Sequence, residues 1–263
     1  MRVNIKKGEI NLQYEESIKK TLIVCSHERS GTHFLMNSIA ANSKYSVDPF
    51  LNFDSNFFGD MVNFYSTKGI ENFFKKIISV SNNNKTYYLS SIVKSHHNCI
   101  YFNNLFNNPN FIFIYIYRNP IDTLISYWNY INYWDWHEGP KKKTIYSFIQ
   151  SAPEGQMLRY QAKSYNTIFD RWASHVSSWY EQSKNTNNII FINYENLNEF
   201  FEQNCFKIFK SIGINNQNLV RPAKNNYIDT PKSNIINNDK DLLVEYINQK
   251  IKDYPLLLNE LAF

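Results

Sequence analysis

Seven consecutive residues, Phe111-Ile112-Phe113-Ile114-Tyr115-Ile116-Tyr117, constrain this chain more than any other stretch. Aromatic and isoleucine side chains alternate with no polar position, so both faces of the strand they form must be covered. Such a strand belongs in the middle of a parallel sheet with helices on both sides. The residues that follow agree. Arg118-Asn119-Pro120-Ile121-Asp122 reads as a helix start. Asn119 suits the N-cap, Pro120 the first helical position, and Asp122 the first turn, where it faces the positive end of the helix dipole. The helix is expected to run to about Tyr133.

The same strand-then-helix grammar recurs. Thr21-Leu22-Ile23-Val24-Cys25-Ser26 reads as a buried strand, His27 to Thr32 as a turn, and Phe34, Leu35, Ser38, Ile39 and Ala41 as a helix ending near Asn42. Residues 86–94 read as a second strand and 188–193 as a fourth. Helices are expected over about 164–184, 199–211 and 239–254, with one more near Ile70 to Val80 in the otherwise hard-to-read stretch 44–85. Repeated β-then-α units give an α/β fold, with a central, mostly parallel sheet flanked by helices. There is no internal repeat and no linker. The expectation is a single domain over 1–263, with a polar lead-in at 1–20, core motifs at 21–210 and a C-terminal helical segment at 211–263.

Composition narrows the function classes. Twenty Phe, 19 Tyr and 5 Trp among 263 residues rule out a disordered chain. No stretch approaches the 18 apolar residues of a membrane span. The net charge of +5, from 28 Lys and Arg against 23 Asp and Glu, suits a small anionic ligand and is too weak to call for nucleic acid. The longest basic run, Lys141-Lys142-Lys143, reads as a solvated loop. Cys25, Cys99 and Cys205 form no CxxC pair, so reduced thiols are expected and no structural zinc site. The first residues have no apolar leader segment, which makes the cytoplasm the expected location. Nothing in the pattern sets an oligomeric state.

In open α/β sheets ligands bind beyond the carboxyl ends of the strands. Three of the four strand ends carry a cation: Arg29 after the first, Lys94 at the end of the second, Arg118 after the third. Cations converging on one sheet edge call for a ligand with more than one anionic group. The first turn, Arg29-Ser30-Gly31-Thr32, resembles a phosphate-binding turn, because a helix N-terminus offers free N–H groups and Gly31 allows close approach. It is not a Walker A loop, and a plain turn with a surface arginine explains it equally well on its own. Ser126, seven residues beyond Asn119, shares a helix face with the helix start, so Arg118 and Ser126 can grip a second phosphate. His96, just past the second strand, is a candidate base, although a lone histidine is more often structural. His97 should point elsewhere.

Together these residues resemble the sulfotransferases of the cytosolic type, which use 3′-phosphoadenosine-5′-phosphosulfate (PAPS). The family's PKSGTTW loop corresponds to Glu28-Arg29-Ser30-Gly31-Thr32-His33-Phe34, and its KTH segment to Lys94-Ser95-His96. Its RNPxDxxxS segment is kept from Arg118 through Ser126, with Tyr127 following. The tryptophan-bearing helix and YED segment correspond to Trp172, His175 and Trp179 followed by Tyr194-Glu195-Asn196. Three departures stand out. Arg29 replaces the loop lysine and cannot donate a proton, Phe34 replaces the adenine-stacking tryptophan, and the C-terminal RKGxxGxWK segment is not recognisable. Thr230-Pro231-Lys232-Ser233-Asn234 is a candidate substitute, though a polar surface loop explains it better.

The resemblance implies a P-loop-like phosphosulfate-binding loop and direct sulfuryl transfer to an acceptor hydroxyl. By the same resemblance His96 is the base. Arg29 supports the leaving oxygen, Lys94 steadies the sulfuryl oxygens or the leaving oxygen, and Ser30, Gly31, Thr32 and His33 line the phosphosulfate loop. Arg118 and Ser126 hold the 3′-phosphate, and Tyr194 and Phe34 flank the adenine; Lys232 and Ser233 are the candidate substitute for the missing C-terminal segment over the phosphate. It implies PAPS as donor, 3′,5′-bisphosphate (PAP) as product, and no metal. The expected acceptor is a hydroxylated small molecule, lipid or glycan. Its pocket is expected from the aromatic excursions, Phe50, Phe53, Phe57, Phe58 and Tyr65, then Trp128, Tyr130, Tyr133, Trp134 and Trp136. The rivals are a non-catalytic nucleotide-binding protein on the same fold and, further off, a P-loop nucleotide kinase.

Overall fold

The computed structural model describes residues 2–3, 12–13, 15, 17–52, 81–82, 85–86, 88–216, 218–223 and 237–261. Its frame is a five-stranded, all-parallel sheet. The strands are β1 (Thr21–Ser26), β2 (Ser46–Asn52), β3 (Ser91–Ser95), β4 (Phe111–Tyr117) and β5 (Ile189–Asn193), in the spatial order 2-3-1-4-5. The strongest strand in the sequence, β4, is interior as expected, paired to β1 on one side and β5 on the other. The central position belongs to β1.

Alternation along β4 divides the core into two layers. Phe111, Phe113, Tyr115 and Tyr117 pack on one face with Leu124, Tyr127, Trp172 and Trp179. Ile112, Ile114 and Ile116 pack on the other with Phe34, Leu35, Ile39 and Ile208. The first layer is covered by α2 (Pro120–Tyr133), α3 (Ile145–Gln150), α4 (Ile168–Asn185), α7 (Asn237–Lys250) and α8 (Pro255–Glu260), of which α3 and α8 were not expected. The second is covered by α1 (Thr32–Ala41), α5 (Tyr194–Glu199) and α6 (Phe201–Ser211). Helix α2 begins as read: the Asn119 side chain accepts from the Ile121 N–H at 2.9 Å and Pro120 opens the helix.

The departures have local causes. Strand β2 was not expected, because Ser-Val-Asp-Pro-Phe-Leu-Asn lacks an apolar pattern. Among the described residues it lies at the sheet edge and pairs only with β3, and it shifts register between Ser46 and Leu51, where Pro49 has no N–H to give. Strand β3 starts at Ser91, five residues later than read, because Lys85 and Thr86 pair antiparallel with Ser81 and Asn82 in a separate ladder. Helix α4 starts at Ile168 rather than near residue 164, since the Thr167 hydroxyl accepts from the Asp170 N–H at 3.0 Å and caps it. The helix expected over 199–211 is α6, which starts at Phe201; Phe200 separates it from α5, which was not expected. The C-terminal helix ends at Lys250 in a 3-10 turn, Ile251–Asp253, with α8 beyond it. The helix expected near residues 70–80 lies outside the described residues.

Candidate active site

Parallel strands put their carboxyl ends on one edge, and the register aligns them: Cys25 pairs with Ser95, Ser26 with Ile116, Tyr117 with Asn193. The loop from β1 to α1 turns sharply there through two left-handed residues, Arg29 at φ 66° and Gly31 at φ 93°. Glycine is required at position 31 twice over. The φ disfavours a side chain, and a Cβ would overlap the Tyr194 ring that lies against it. Gly31 is also the N-cap of α1, so the free N–H groups of that helix open beside the ring.

Arg29 crosses to α2. Its Nε donates to Ser126 Oγ at 3.1 Å, and its guanidinium lies 5.2 Å from the centre of the Tyr130 ring. Burial, and then the positive field of Arg118, lower its pKa. His33 is pushed down to about 4 by burial and by Lys94 and Arg29. The cations from three strand ends therefore share one region. Arg118 pairs with Asp122 at 3.2 Å and lies 4.9 Å from the Tyr194 ring centre. Tyr194 thus bridges the first turn and the third. Glu195 adds a second tie, its Oε1 accepting from the Asn119 N–H at 3.0 Å.

His96 follows β3 and is buried. Its Nδ1 lies 3.0 Å from the Ser26 carbonyl oxygen and 3.2 Å from Ser26 Oγ, while Ser26 Oγ and Thr32 Oγ1 are 2.6 Å apart. A carbonyl can only accept, so Nδ1 carries a proton, and whenever the ring is neutral the lone pair lies on Nε2. The backbone of this segment is held from α4. His175 Nε2 donates to the His96 carbonyl at 3.1 Å, Tyr115 OH meets His175 Nδ1 at 2.8 Å, and Trp179 Nε1 donates to the His97 carbonyl at 3.2 Å. The His97 ring turns away to Ser95 Oγ and Tyr101.

Behind the loop lies a buried charged cluster that sequence reasoning missed. Arg171 on α4 donates to Glu28 Oε1 at 2.6 Å and Oε2 at 3.1 Å, and to His27 Nε2 at 2.7 Å. Tyr127 OH donates to Glu28 Oε1 at 2.8 Å. Burial alone would raise the Glu28 carboxyl; Arg171 reverses this and holds it well below the usual range. Burial pushes His27 down to about 4, so the imidazole is neutral and accepts from Arg171. The sequence signal was present: a glutamate stands where the motif has proline, and an arginine sits on the apolar face of α4.

Other expected residues fall in varied places. Phe34 is buried and meets Tyr194 edge to face at 6.2 Å, so the two rings do not face one another across a slot. Arg221, not singled out in the sequence, lies 5.7 Å from the Phe34 ring centre. Trp128 belongs to the core, its Nε1 donating to the Lys142 carbonyl at 2.8 Å. Trp134 and Trp136 stack at 4.1 Å beside Tyr130, and a Glu138–Arg159 pair at 3.1 Å leads from Trp136 to Tyr160, whose ring flanks His96. Phe53, Phe57, Phe58, Tyr65, Lys232, Ser233 and the side chain of Phe50 lie outside the described residues.

The donors fit an anionic group. Ser30 Oγ and Arg118 Nε are buried without a hydrogen-bond partner among the described residues, and both flank the turn that Gly31 opens. The sulfotransferase domain profile matches residues 19–254. The chain belongs to the sulfotransferase domain family. Curated relatives include the amine sulfotransferase of Oryctolagus cuniculus, 30% identical over 95 residues, and sulfotransferase 1A1 of Rattus norvegicus, 30% identical over 100 residues. Those matches cover 36% and 38% of this chain, and 27% and 30% of the relatives' own length. Among solved structures, mouse sulfotransferase SULT7A1 complexed with PAP aligns with a TM-score of 0.48 at 22% identity, over 77% of this chain and 63% of that one. Among the described residues no helix is long and apolar enough to cross a membrane.

Proposed function

We propose that this sulfotransferase-family chain moves a sulfuryl group from PAPS to the hydroxyl of a small-molecule, lipid or glycan acceptor, releasing PAP. When bound, the nucleotide supplies an electrophilic sulfur joined to a phosphate leaving group. Arg29, Ser30, Gly31, Thr32 and His33, with the N–H groups opening α1, hold the 5′ anion. Donors fixed in place before the reaction stabilise charge as it grows on the leaving oxygen. Lys94 adds a cation on the same side. Arg118 and Ser126 hold the 3′-phosphate, and Tyr194 and Phe34 provide the aromatic wall for adenine. Lys232 and Ser233 remain the proposed closure over the phosphate. His96 Nε2 takes the proton of the acceptor hydroxyl, which makes the oxygen a better nucleophile. The stacked Trp134 and Trp136, with Tyr130, offer a flat apolar wall to the acceptor.

One observation carries the reading: the bond from His96 Nδ1 to the Ser26 carbonyl, which ties the base to the strand that leads into the anion turn and fixes its tautomer. The test is an acceptor screen with labelled PAPS, read by intact mass for an added sulfonate. Transfer to a hydroxylated acceptor supports it. Tight PAP binding without transfer to any acceptor in a broad screen favours the non-catalytic reading, and Mg²⁺-dependent phosphoryl transfer from ATP favours the kinase.

A further inference from the structure

We propose that the buried Glu28–Arg171 ion pair, with Tyr127, is a positioning clamp that sets the shape of the anion turn for nucleotide. The inference rests on the functional reading above for its ligand, but the clamp itself is a property of the free protein. Arg171 matches no residue of the sulfotransferase motifs carried by this chain, and Glu28 departs from them by replacing the proline of PKSGTTW.

Three observations lead to it. First, Arg29 is the only non-glycine residue with a positive φ among the described residues, a backbone state a side chain does not favour. Something must hold it. Second, adjacent residues of α2 seize adjacent residues of the loop: Ser126 takes the Arg29 side chain at 3.1 Å, and Tyr127 takes Glu28 at 2.8 Å. Arg171 grips the same loop from α4, bridging Glu28 and His27, while His27 Nδ1 donates back to the Glu28 carbonyl at 3.0 Å. The chain is thus fixed on both sides of Glu28, just before it enters the left-handed turn. Third, Arg171 is 1% exposed and Glu28 6%. A buried ion pair contributes little net stability against an apolar packing of the same volume, so stability alone does not account for it. Fixing one geometry does.

The clamp acts through Arg29 and the helix N–H groups, so Glu28, Tyr127 and Arg171 are positioning residues. The variants are Tyr127→Phe, which removes one hydrogen bond and leaves the ion pair to keep the chain folded, Glu28→Gln, and the double Glu28→Gln/Arg171→Met. Hydrogen exchange is measured in the free protein for amides of residues 27–32 and, as reference, for the β1 amides. Calorimetry with PAP is run alongside. The clamp predicts loop amides exchanging about tenfold faster in both single variants with β1 unchanged. PAP should bind about tenfold more weakly, and the double variant should lose no more than Glu28→Gln alone. Loop exchange and PAP affinity both at the parental level in folded Tyr127→Phe and Glu28→Gln would overturn it, as would equal acceleration of loop and strand, which marks a purely structural role. If the parent protein binds no PAP, the nucleotide reading falls, and loop exchange alone decides the clamp.

Discussion

The ring of His96 points its Nδ1 at the Ser26 carbonyl, 3.0 Å away, although 70 residues separate the two in sequence. Strand pairing creates the contact: Ser26 ends β1, and Ser95, one residue before His96, ends β3 beside it. His96 and the turn that follows β1 therefore share one sheet edge. Substituting His96 by Ala should cut turnover about 10²–10⁴-fold, the usual share of a general base. PAP affinity should stay near the parental value, because the proposed role of His96 is on the acceptor hydroxyl and not on a phosphate. Parental transfer rates in His96→Ala would remove the base assignment.

Arg29 has a different signature. In the proposed mechanism its cation supports the growing charge on the leaving oxygen, so Arg29→Ala should lower turnover by about 10²–10³-fold, the typical loss for one preorganised donor. Arg29→Lys restores the residue of the family motif but loses the planar fork that reaches Ser126 Oγ at 3.1 Å. It should retain much of the activity lost in the alanine variant. Single-turnover rates with saturating donor separate the two. Equal loss in both variants would mean that the guanidinium geometry, rather than charge, is what matters.

Gly31 and Gly213 form an internal comparison. Both have positive φ, 93° and 75°, but a Cβ at Gly31 would overlap the Tyr194 ring whereas one at Gly213 meets nothing within 4 Å. Both alanine variants should lose about 1–3 kcal/mol to the backbone state. Gly31→Ala should lose more and should also displace Tyr194 and weaken PAP binding. Denaturant unfolding of the two variants checks this; equal losses would show that the Tyr194 contact costs nothing to break.

Acid should destabilise the fold before the carboxylates titrate. Burial holds His27 down to about 4 and His175 well below its ordinary value, so both are neutral when folded. The unfolded chain binds protons on these rings as pH falls below 6.5, and the folded chain does not. Stability conferred by neutral burial is therefore present above 6.5 and declines as pH falls toward 4, by up to about 1.4 kcal/mol per pH unit for each ring. Below that window the Glu28 contribution follows, since its folded pKa lies under its unfolded one. The midpoint of urea unfolding should fall steadily between pH 7 and 5. A flat profile there would mean that these rings are protonated in the fold.

Much of this was legible from sequence because each feature is local. The period of Phe111–Tyr117, the Asn119-Pro120 cap, and the cations after Cys25-Ser26, Val93 and Tyr117 are written in adjacent residues. The edge strand Ser46–Asn52 was not, because it owes its existence to β3, and Pro49 argues against it locally. The proposed clamp left a local mark at each partner, but the pairing of the two was not legible. Glu28 and Arg171 are 143 residues apart, and only the packing of α4 behind the first loop brings them to 2.6 Å. Phe34 illustrates a third limit: the motif position was readable, but its edge-to-face contact with Tyr194 depends on where α5 enters the layer below the sheet.

The central claim is that two turns at one sheet edge, joined by Tyr194, grip the two ends of a bisphosphorylated adenosine. Titration calorimetry of the folded protein with PAP, repeated on Arg118→Ala, tests it most directly. The account predicts one saturable site without added metal, weakened at least about tenfold in Arg118→Ala. No heat from folded parent protein, or identical affinity in the two proteins, would contradict it.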